Sequence, residues 1–233
     1  MSPARSSVPR ASIAPLLHES LGERVYRTVR DLILSQVFPP GSKLNVEQIC
    51  RDLGVSRTPV WDTMRRLESE GLVNTVPRHG VFVLNYGVDQ IRDLFAVRGA
   101  LEALAVRQAA QNLDEEARAG LEASMKDMER AAAAGSMEQY SRFAIEFHDR
   151  VLAAAQNQVL GRLLENVYAQ ILVLRLRSLY LPERVESSVA EHRELFEAVR
   201  AGDADRGERL ARAHADHVLQ DALEFTRRGG PGR

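Results

Sequence analysis

Three histidines, His148, His192 and His214, are each spaced to face the apolar side of a predicted helix. Each lies three or four residues from apolar side chains of its own segment, which is the spacing that places residues on one helix face. Imidazole nitrogens from three helices that meet at one point suit a divalent ion such as Zn²⁺ or Ni²⁺. Taken singly, each is also explained as a hydrogen-bonded histidine of the core, so the spacing leaves both interpretations open.

A second group of residues points to recognition of a polyanion. Arg57, Trp61 and Arg65 recur every four residues, so two guanidinium groups flank an indole on one side of a helix. The adjacent apolar stripe is the side that packs on a core, and it consists of Val60, Met64 and Leu67. The arginine-bearing side is not needed by the core and is available to phosphates and base edges.

The surroundings of this helix predict a winged helix-turn-helix. A shorter helix ends at Gly54 in a tight turn, and the second helix begins after Ser56 and stops at Gly71. Two short β-rich runs follow, residues 72–76 and 81–84, joined by a basic tip of sequence Pro77-Arg78-His79-Gly80. In this arrangement the second helix enters a major groove of double-stranded DNA and the wing meets backbone or minor groove.

The rest of the chain predicts a second, all-helical domain. From residue 88 onward strand patterns stop, and six helical segments with short connections indicate an all-α antiparallel bundle, so that the fold class is mainly α. The predicted organisation is a disordered tail (1–17), a winged helix-turn-helix domain (18–86), the helical domain (87–228) and a flexible tail (229–233).

Composition sets broad limits on the class of protein. An apolar content of 45% and a charged content of 27% are typical of a globular protein, and the single cysteine excludes an internal disulfide. No run is long and apolar enough for a transmembrane helix, and the N-terminus lacks the apolar core of a signal peptide, so a cytoplasmic protein without membrane contact is predicted. Residues 1–86 contain 11 Lys and Arg against 8 Asp and Glu, an excess whose sign favours DNA at this end.

The first domain resembles a known family. The run PPGSKLNVEQICRDLGVSRTPVWDTMRRLESEGLVNTVPRHGVFV is similar to the N-terminal domain of the GntR family of bacterial transcription regulators. The resemblance implies DNA contacts from the second helix and from the wing, at Arg57, Thr58, Trp61, Arg65, Arg66, Arg78, His79 and Gly80. Where the family usually has Arg-Glu, this chain has Trp61-Asp62, and a Trp cannot make the bidentate contact of Arg with guanine. Trp61 is then either an edge of the core or a dimer contact, or it touches thymine methyl groups or sugars.

The second domain resembles the FCD-type ligand domain of the FadR subgroup, on the segments FAIEFHDRVLAAAQN, EHRELFEAVRAGD and ARAHADH. The resemblance implies a divalent metal held by His148, His192 and His214, with a carboxylate or Asn four residues before the first histidine. That position is Ala144, so the fourth ligand is missing, and a metal-free polar pocket is the alternative. Arg98 matches an arginine near the cavity that would pair an organic-acid effector, with Arg175 and Arg177 of the same kind. The other interpretation of Arg98 is a surface ion pair with Glu102.

These observations predict a homodimeric, effector-responsive transcription regulator that binds an inverted-repeat operator and is not an enzyme. A metal-dependent hydrolase is one alternative, because three histidines with an open position also form a catalytic zinc site. An architectural DNA-binding protein without an effector is the other alternative, and it predicts a filled bundle with no cavity.

Overall fold

Helices dominate the chain, and a small sheet lies in its N-terminal part. The computed structural model describes residues 20–174 and 182–227, and these ranges contain nine helices and three short strands. In chain order they are α1 (Leu21–Leu34), β1 (Lys43–Leu44), α2 (Val46–Leu53), α3 (Arg57–Ser69), β2 (Val73–Val76), β3 (Gly80–Val83), α4 (Val88–Asn112), α5 (Glu115–Ala133), α6 (Met137–Ala154), α7 (Gln158–Leu174), α8 (Pro182–Arg200) and α9 (Ala204–Arg227).

The N-terminal domain is the predicted winged helix-turn-helix. The stripe of α3 lies in its core, with Val60, Met64 and Leu67 fully buried against α1 and the sheet. Gly54 adopts the left-handed conformation that ends α2, and Gly71 does the same just after α3, where a side chain on Cβ would be strained. Both helices therefore end where the sequence predicted.

The wing is an antiparallel hairpin of β2 and β3, in which Asn74 lies opposite Phe82. Strand β1 pairs with the other edge of β3, giving the order β1-β3-β2. Strand β1 is not predictable from the sequence, because two residues carry no alternation pattern and become a strand only by pairing with β3. At the tip, Arg78 and Gly80 both have positive φ, which closes the turn between the strands.

The C-terminal domain consists of the six predicted helices, α4 to α9. Their inward faces form a main apolar core, which includes the fully buried Leu121, Met128, Phe147, Leu164 and Leu195, and a smaller cluster around Phe95 of α4. The long helix α4 is central, since it packs on α6, α7, α8 and α9. None of the helices in ranges 20–174 and 182–227 has the length and apolar character to cross a membrane.

Helix α7 contributes to the cores of both domains, which its sequence does not predict. Ala169 and Val173 are buried in the core of the winged domain, while Leu160 and Leu164 of the same helix lie in the core of the bundle. The side chain of Gln36 also donates a hydrogen bond to the carbonyl oxygen of Val173 at 3.0 Å. The winged domain is thus docked on a helix of the C-terminal domain.

Candidate functional site

The arginine-bearing side of α3 is exposed, as predicted. The side chains of Arg57 and Arg65 are each 72% exposed, and Trp61 between them is 40% exposed. Thr58 is exposed in the first turn of the same helix. Because positions 57, 61 and 65 advance by only about 40° per step around a helix, their side chains share one face.

The ion pairs made by these arginines are weak and replaceable. Arg57 pairs with Glu47 of α2 at 2.6 Å, and Arg65 pairs with Asp62 one turn earlier. All four side chains are more than half exposed, and such pairs contribute about 0–1 kcal/mol. A DNA phosphate approaching this face would compete for both guanidinium groups at little cost.

Arg66 lies on the other side of the helix. Its guanidinium stacks on the ring of Tyr26, 3.4 Å from the centroid, and pairs with Glu23 at 2.7 Å and Glu70 at 3.3 Å. Nine residues separate Arg66 from Arg57, which is half a turn in projection. The structure therefore brings Arg66 to α1 and away from the other residues predicted to bind DNA.

The wing lies beside Trp61, and the two line the same groove. A shallow groove runs between α3, the start of α2 and the wing, and its walls include Lys43, Trp61, Arg78, His79 and Gly80. Arg78 and His79 are exposed at the tip. The two predicted DNA-binding regions thus form one continuous surface. The exposed Lys43 adds to it, and sequence reasoning missed this lysine because it precedes the helix-turn-helix motif.

The three histidines predicted to bind a metal converge inside the bundle. His148 comes from α6, His192 from α8 and His214 from α9, and one ring nitrogen of each lies within 4.8 Å of the others. The Nε2 atoms of His148 and His192 are 3.2 Å apart. Phe147 packs edge-on against the ring of His192, which holds that ring in a dry setting.

Hydrogen bonds on the far side of two rings fix their tautomers. Nδ1 of His192 is 2.6 Å from the backbone carbonyl oxygen of Ser188, and Nδ1 of His214 is 2.6 Å from Glu191. A carbonyl or a carboxylate oxygen only accepts, so both Nδ1 atoms carry a proton, and in the neutral ring the lone pair is then on Nε2. Three imidazoles, two of them oriented by such second partners, fit the donor set of a divalent ion.

Burial favours the neutral form of His148 and His192. It lowers the pKa of His148 to about 4, with His214 and Arg98 acting in the same direction and Glu102 opposing them. Burial and the charges of His214 and His148 also hold the pKa of His192 well below its ordinary value. A neutral imidazole is the form that binds a metal.

A pH dependence of stability follows for the metal-free protein. Below the ordinary histidine pKa of 6.5 the unfolded chain binds a proton that folded His148 refuses until about pH 4, so the free energy of unfolding falls as the pH drops through this window. The loss from His148 is on the order of 3 kcal/mol. Urea unfolding of chelator-treated protein at pH 7.5 and 4.5 measures it. A His148→Gln variant should lose less stability between the two pH values, and an identical loss in both proteins would contradict this assignment.

Arg98 is paired with Glu102, but the pair is buried rather than on the surface. Nε of Arg98 donates to Oε1 of Glu102 at 2.8 Å, and Tyr168 donates to the same oxygen at 2.8 Å. Only 7% and 4% of the two side chains are exposed. Burial alone raises the pKa of Glu102, but Arg98, His148 and His214 outweigh it and lower the pKa to about 2. The surface pair offered as one interpretation of Arg98 is therefore wrong.

A cavity of about 440 Å³ opens beside the histidines. Arg98, the three histidines and Ala144 line one part of it, and α7 contributes Ile171 and Leu172. Arg30 and Leu34 of α1 also line it, so its wall includes the winged domain. Arg175 and Arg177, the other predicted effector-binding residues, lie outside the described residues.

Comparison with known proteins agrees with this architecture. Residues 21–83 match the bacterial regulatory proteins of the gntR family, and residues 93–217 match the FCD domain. An uncharacterized HTH-type transcriptional regulator YdhC of Bacillus subtilis is 29% identical over 193 residues, 82% of this chain and 86% of the relative. The HTH-type transcriptional repressor RspR of Escherichia coli is 24% identical over 89% of this chain and 91% of its own length. The solved structure of E. coli McbR/YncC superposes with a TM-score of 0.69 at 21% identity, covering 91% of this chain and 99% of that one.

A winged helix-turn-helix docked on a helical domain with a ligand-sized cavity defines a DNA-binding transcription regulator rather than an enzyme. This chain belongs to the GntR family of bacterial transcription regulators and carries an FCD domain as its effector domain.

Proposed function

We propose that an organic-acid effector bound in the histidine-lined cavity controls the affinity of the winged domain for its operator. One observation carries this proposal: the cavity wall contains residues of both domains, Arg30 and Leu34 from α1 and the histidines from the bundle. A ligand that contacts both domains has a different affinity for their different arrangements, which is the requirement for coupling.

The cavity suits an anionic ligand held at two points. We propose that His148, His192 and His214 bind Zn²⁺ or Ni²⁺, in the manner of the FadR subgroup. The ion would supply positive charge and open coordination positions for a carboxylate. The guanidinium of Arg98 lines the same cavity beside the histidines and would orient the acid. Apolar side chains such as Ile145 and Leu172 line the remainder, and these suit a short carbon chain.

We propose that the DNA-binding form is a homodimer on an inverted repeat. One recognition helix and one wing read too few base pairs for useful specificity, and two copies related by a two-fold axis double the site. Helix α4 exposes Val97 and Leu104, seven residues apart and thus on one face, and this face is a candidate for the contact between copies.

The two alternative functions have less support. The effector-free architectural protein requires a filled bundle, whereas this bundle contains the cavity. The hydrolase requires a general base beside the histidines, but the buried carboxylate of Glu102 is already engaged by Arg98 and Tyr168. Its lowered pKa makes it a poor proton acceptor.

The DNA-binding part is tested by replacing Arg57 with alanine. The variant dimer loses one phosphate or base contact in each half-site, and each loss should weaken operator binding by about 1–3 kcal/mol, which is roughly 5–150-fold per half-site. The salt dependence of the affinity should fall as well. A gel-shift titration against the DNA upstream of its own gene, with random DNA as competitor, measures both. Arg118→Ala is the matched control, since Arg118 also makes an exposed ion pair but lies on α5 of the bundle. Equal affinity of the Arg57 variant and the control would contradict the proposed interface.

A further inference from the structure

Glu191 of α8 stands directly behind the histidine cluster. Its Oε2 atom accepts from Nδ1 of His214 at 2.6 Å, and its Oε1 atom lies 3.0 Å from Nδ1 of His217. His214 is fully enclosed, whereas the side chain of His217 is 60% exposed. The contact with His214 is therefore the one made in a dry setting, where a charge-assisted hydrogen bond is strongest.

The carboxylate of Glu191 is itself held in place. The two terminal nitrogens of Arg184 donate to its two oxygens at 2.8 Å each, a bidentate arrangement that fixes the carboxylate plane. Arg184 is buried and also pairs with Asp221 of α9. One guanidinium between two carboxylates leaves this trio with a net charge of −1, on the side of His214 that faces away from the cavity.

Among the acidic side chains that the structure describes, none of the others places a comparable charge behind a histidine of the cluster. Position 144, one turn before His148, is alanine. The charge of Glu102 is balanced by Arg98 within a buried pair. Asp149 and Glu165 line the cavity but are exposed to solvent, which screens their charge.

We propose that Glu191 is the positioning residue of this site: it fixes His214 with Nε2 toward the other histidines and supplies, through that ring, the negative charge that Ala144 does not. The inference rests on the proposed metal site. A carboxylate behind a ligating imidazole makes the ring a better electron donor, and loss of such a partner typically weakens metal binding by about 10–100-fold.

Zinc titration of the metal-free full chain, purified without a His-tag, tests this role. Glu191→Gln should bind Zn²⁺ about 10–100-fold more weakly than the wild type. Glu129→Gln should bind like the wild type, since Glu129 forms a partly exposed pair with Arg193 between α5 and the same helix α8. Adding Ala144→Asp to the Glu191 variant should restore most of the affinity, because it returns a carboxylate to the site. A purely structural defect would not be repaired in this way.

The histidine tautomers give a second measurement that needs no substitution. Nitrogen-15 NMR of the metal-free wild type should show His214 protonated on Nδ1, and protonation on Nε2 would overturn the inference. If the wild type binds zinc and Glu191→Gln binds equally well, the role of Glu191 is wrong while the metal site stands. If the wild type does not bind zinc, the metal site is wrong and the inference falls with it.

Discussion

Replacing His148 with alanine should weaken Zn²⁺ binding by at least about 100-fold, because it removes one of the three proposed ligands. Loss of a residue that only hydrogen-bonds to a ligand already weakens metal binding by about 10–100-fold. His148 is the best of the three to replace. Its hydrogen bond in the described structure is to His192, whereas His192 and His214 are also tied to Ser188 and Glu191. The variant should thus lose the metal without losing the fold.

Thermal or urea unfolding with and without zinc measures the same effect as stability. A ligand at 100 times its dissociation constant raises the free energy of unfolding by about 2.7 kcal/mol, and the variant should show no rise at that concentration. His79→Ala is the matched control, since His79 lies on the wing, remote from the cluster, and its loss should leave the zinc response intact. Equal stabilisation of wild type and His148→Ala would contradict the metal site.

The helix-turn-helix could be predicted because its signals are local. The stripe of Val60, Met64 and Leu67, the glycine at each helix end and the basic turn of the wing are all encoded within a few residues. The features that could not be predicted depend on contacts with distant parts of the chain. Strand β1 exists by pairing with β3, and Arg66 turns toward Tyr26 because α1 packs there.

The three histidines of the candidate site could be predicted from the sequence, whereas the residues that hold them in place could not. Helical spacing placed His148, His192 and His214 on inward faces, and the family resemblance identified them as a set. The roles of Glu191 and Glu102 required knowledge of how α4, α8 and α9 pack, since each acts across helices or within a buried pair. Glu191 offered one signal, its place directly before His192, but adjacent residues on a helix point about 100° apart.

The shared helix α7 explains how the cavity and the DNA-binding surface are linked. Ala169, Ile171 and Leu172 line the cavity, and Gln170 between them faces the winged domain. The side-chain amide of Gln170 donates to the carbonyl oxygen of Glu70 at 2.9 Å, and its oxygen accepts from Tyr86 at 3.0 Å. Glu70 caps the recognition helix α3, and Tyr86 leads into α4. A ligand that displaces α7 therefore moves Gln170, which is hydrogen-bonded both to Glu70 and to Tyr86.

Replacing Gln170 with alanine should uncouple the two domains. The substitution removes both hydrogen bonds and the contact of Gln170 with Gly71. That contact is close, since a Cβ added at Gly71 would lie 2.6 Å from Nε2 of Gln170. Effector binding should be unchanged, because the side chain does not line the cavity. Coupling between two sites is typically worth 1–3 kcal/mol, so an effector-induced change of about 5–150-fold in operator affinity should shrink to a few-fold.

The measurement is operator affinity with and without a saturating organic acid found by thermal-shift screening, together with calorimetric affinity for that acid. Gln158→Ala is the matched control, since Gln158 is exposed at the other end of the same helix. If operator affinity no longer responds to the acid while the affinities for operator and acid are both retained, the effector signal passes through the contact between α7 and α3. An undiminished response would instead place transmission on the other contact between cavity and winged domain, through Arg30 and Leu34 of α1, and the Gln170 hypothesis would be abandoned.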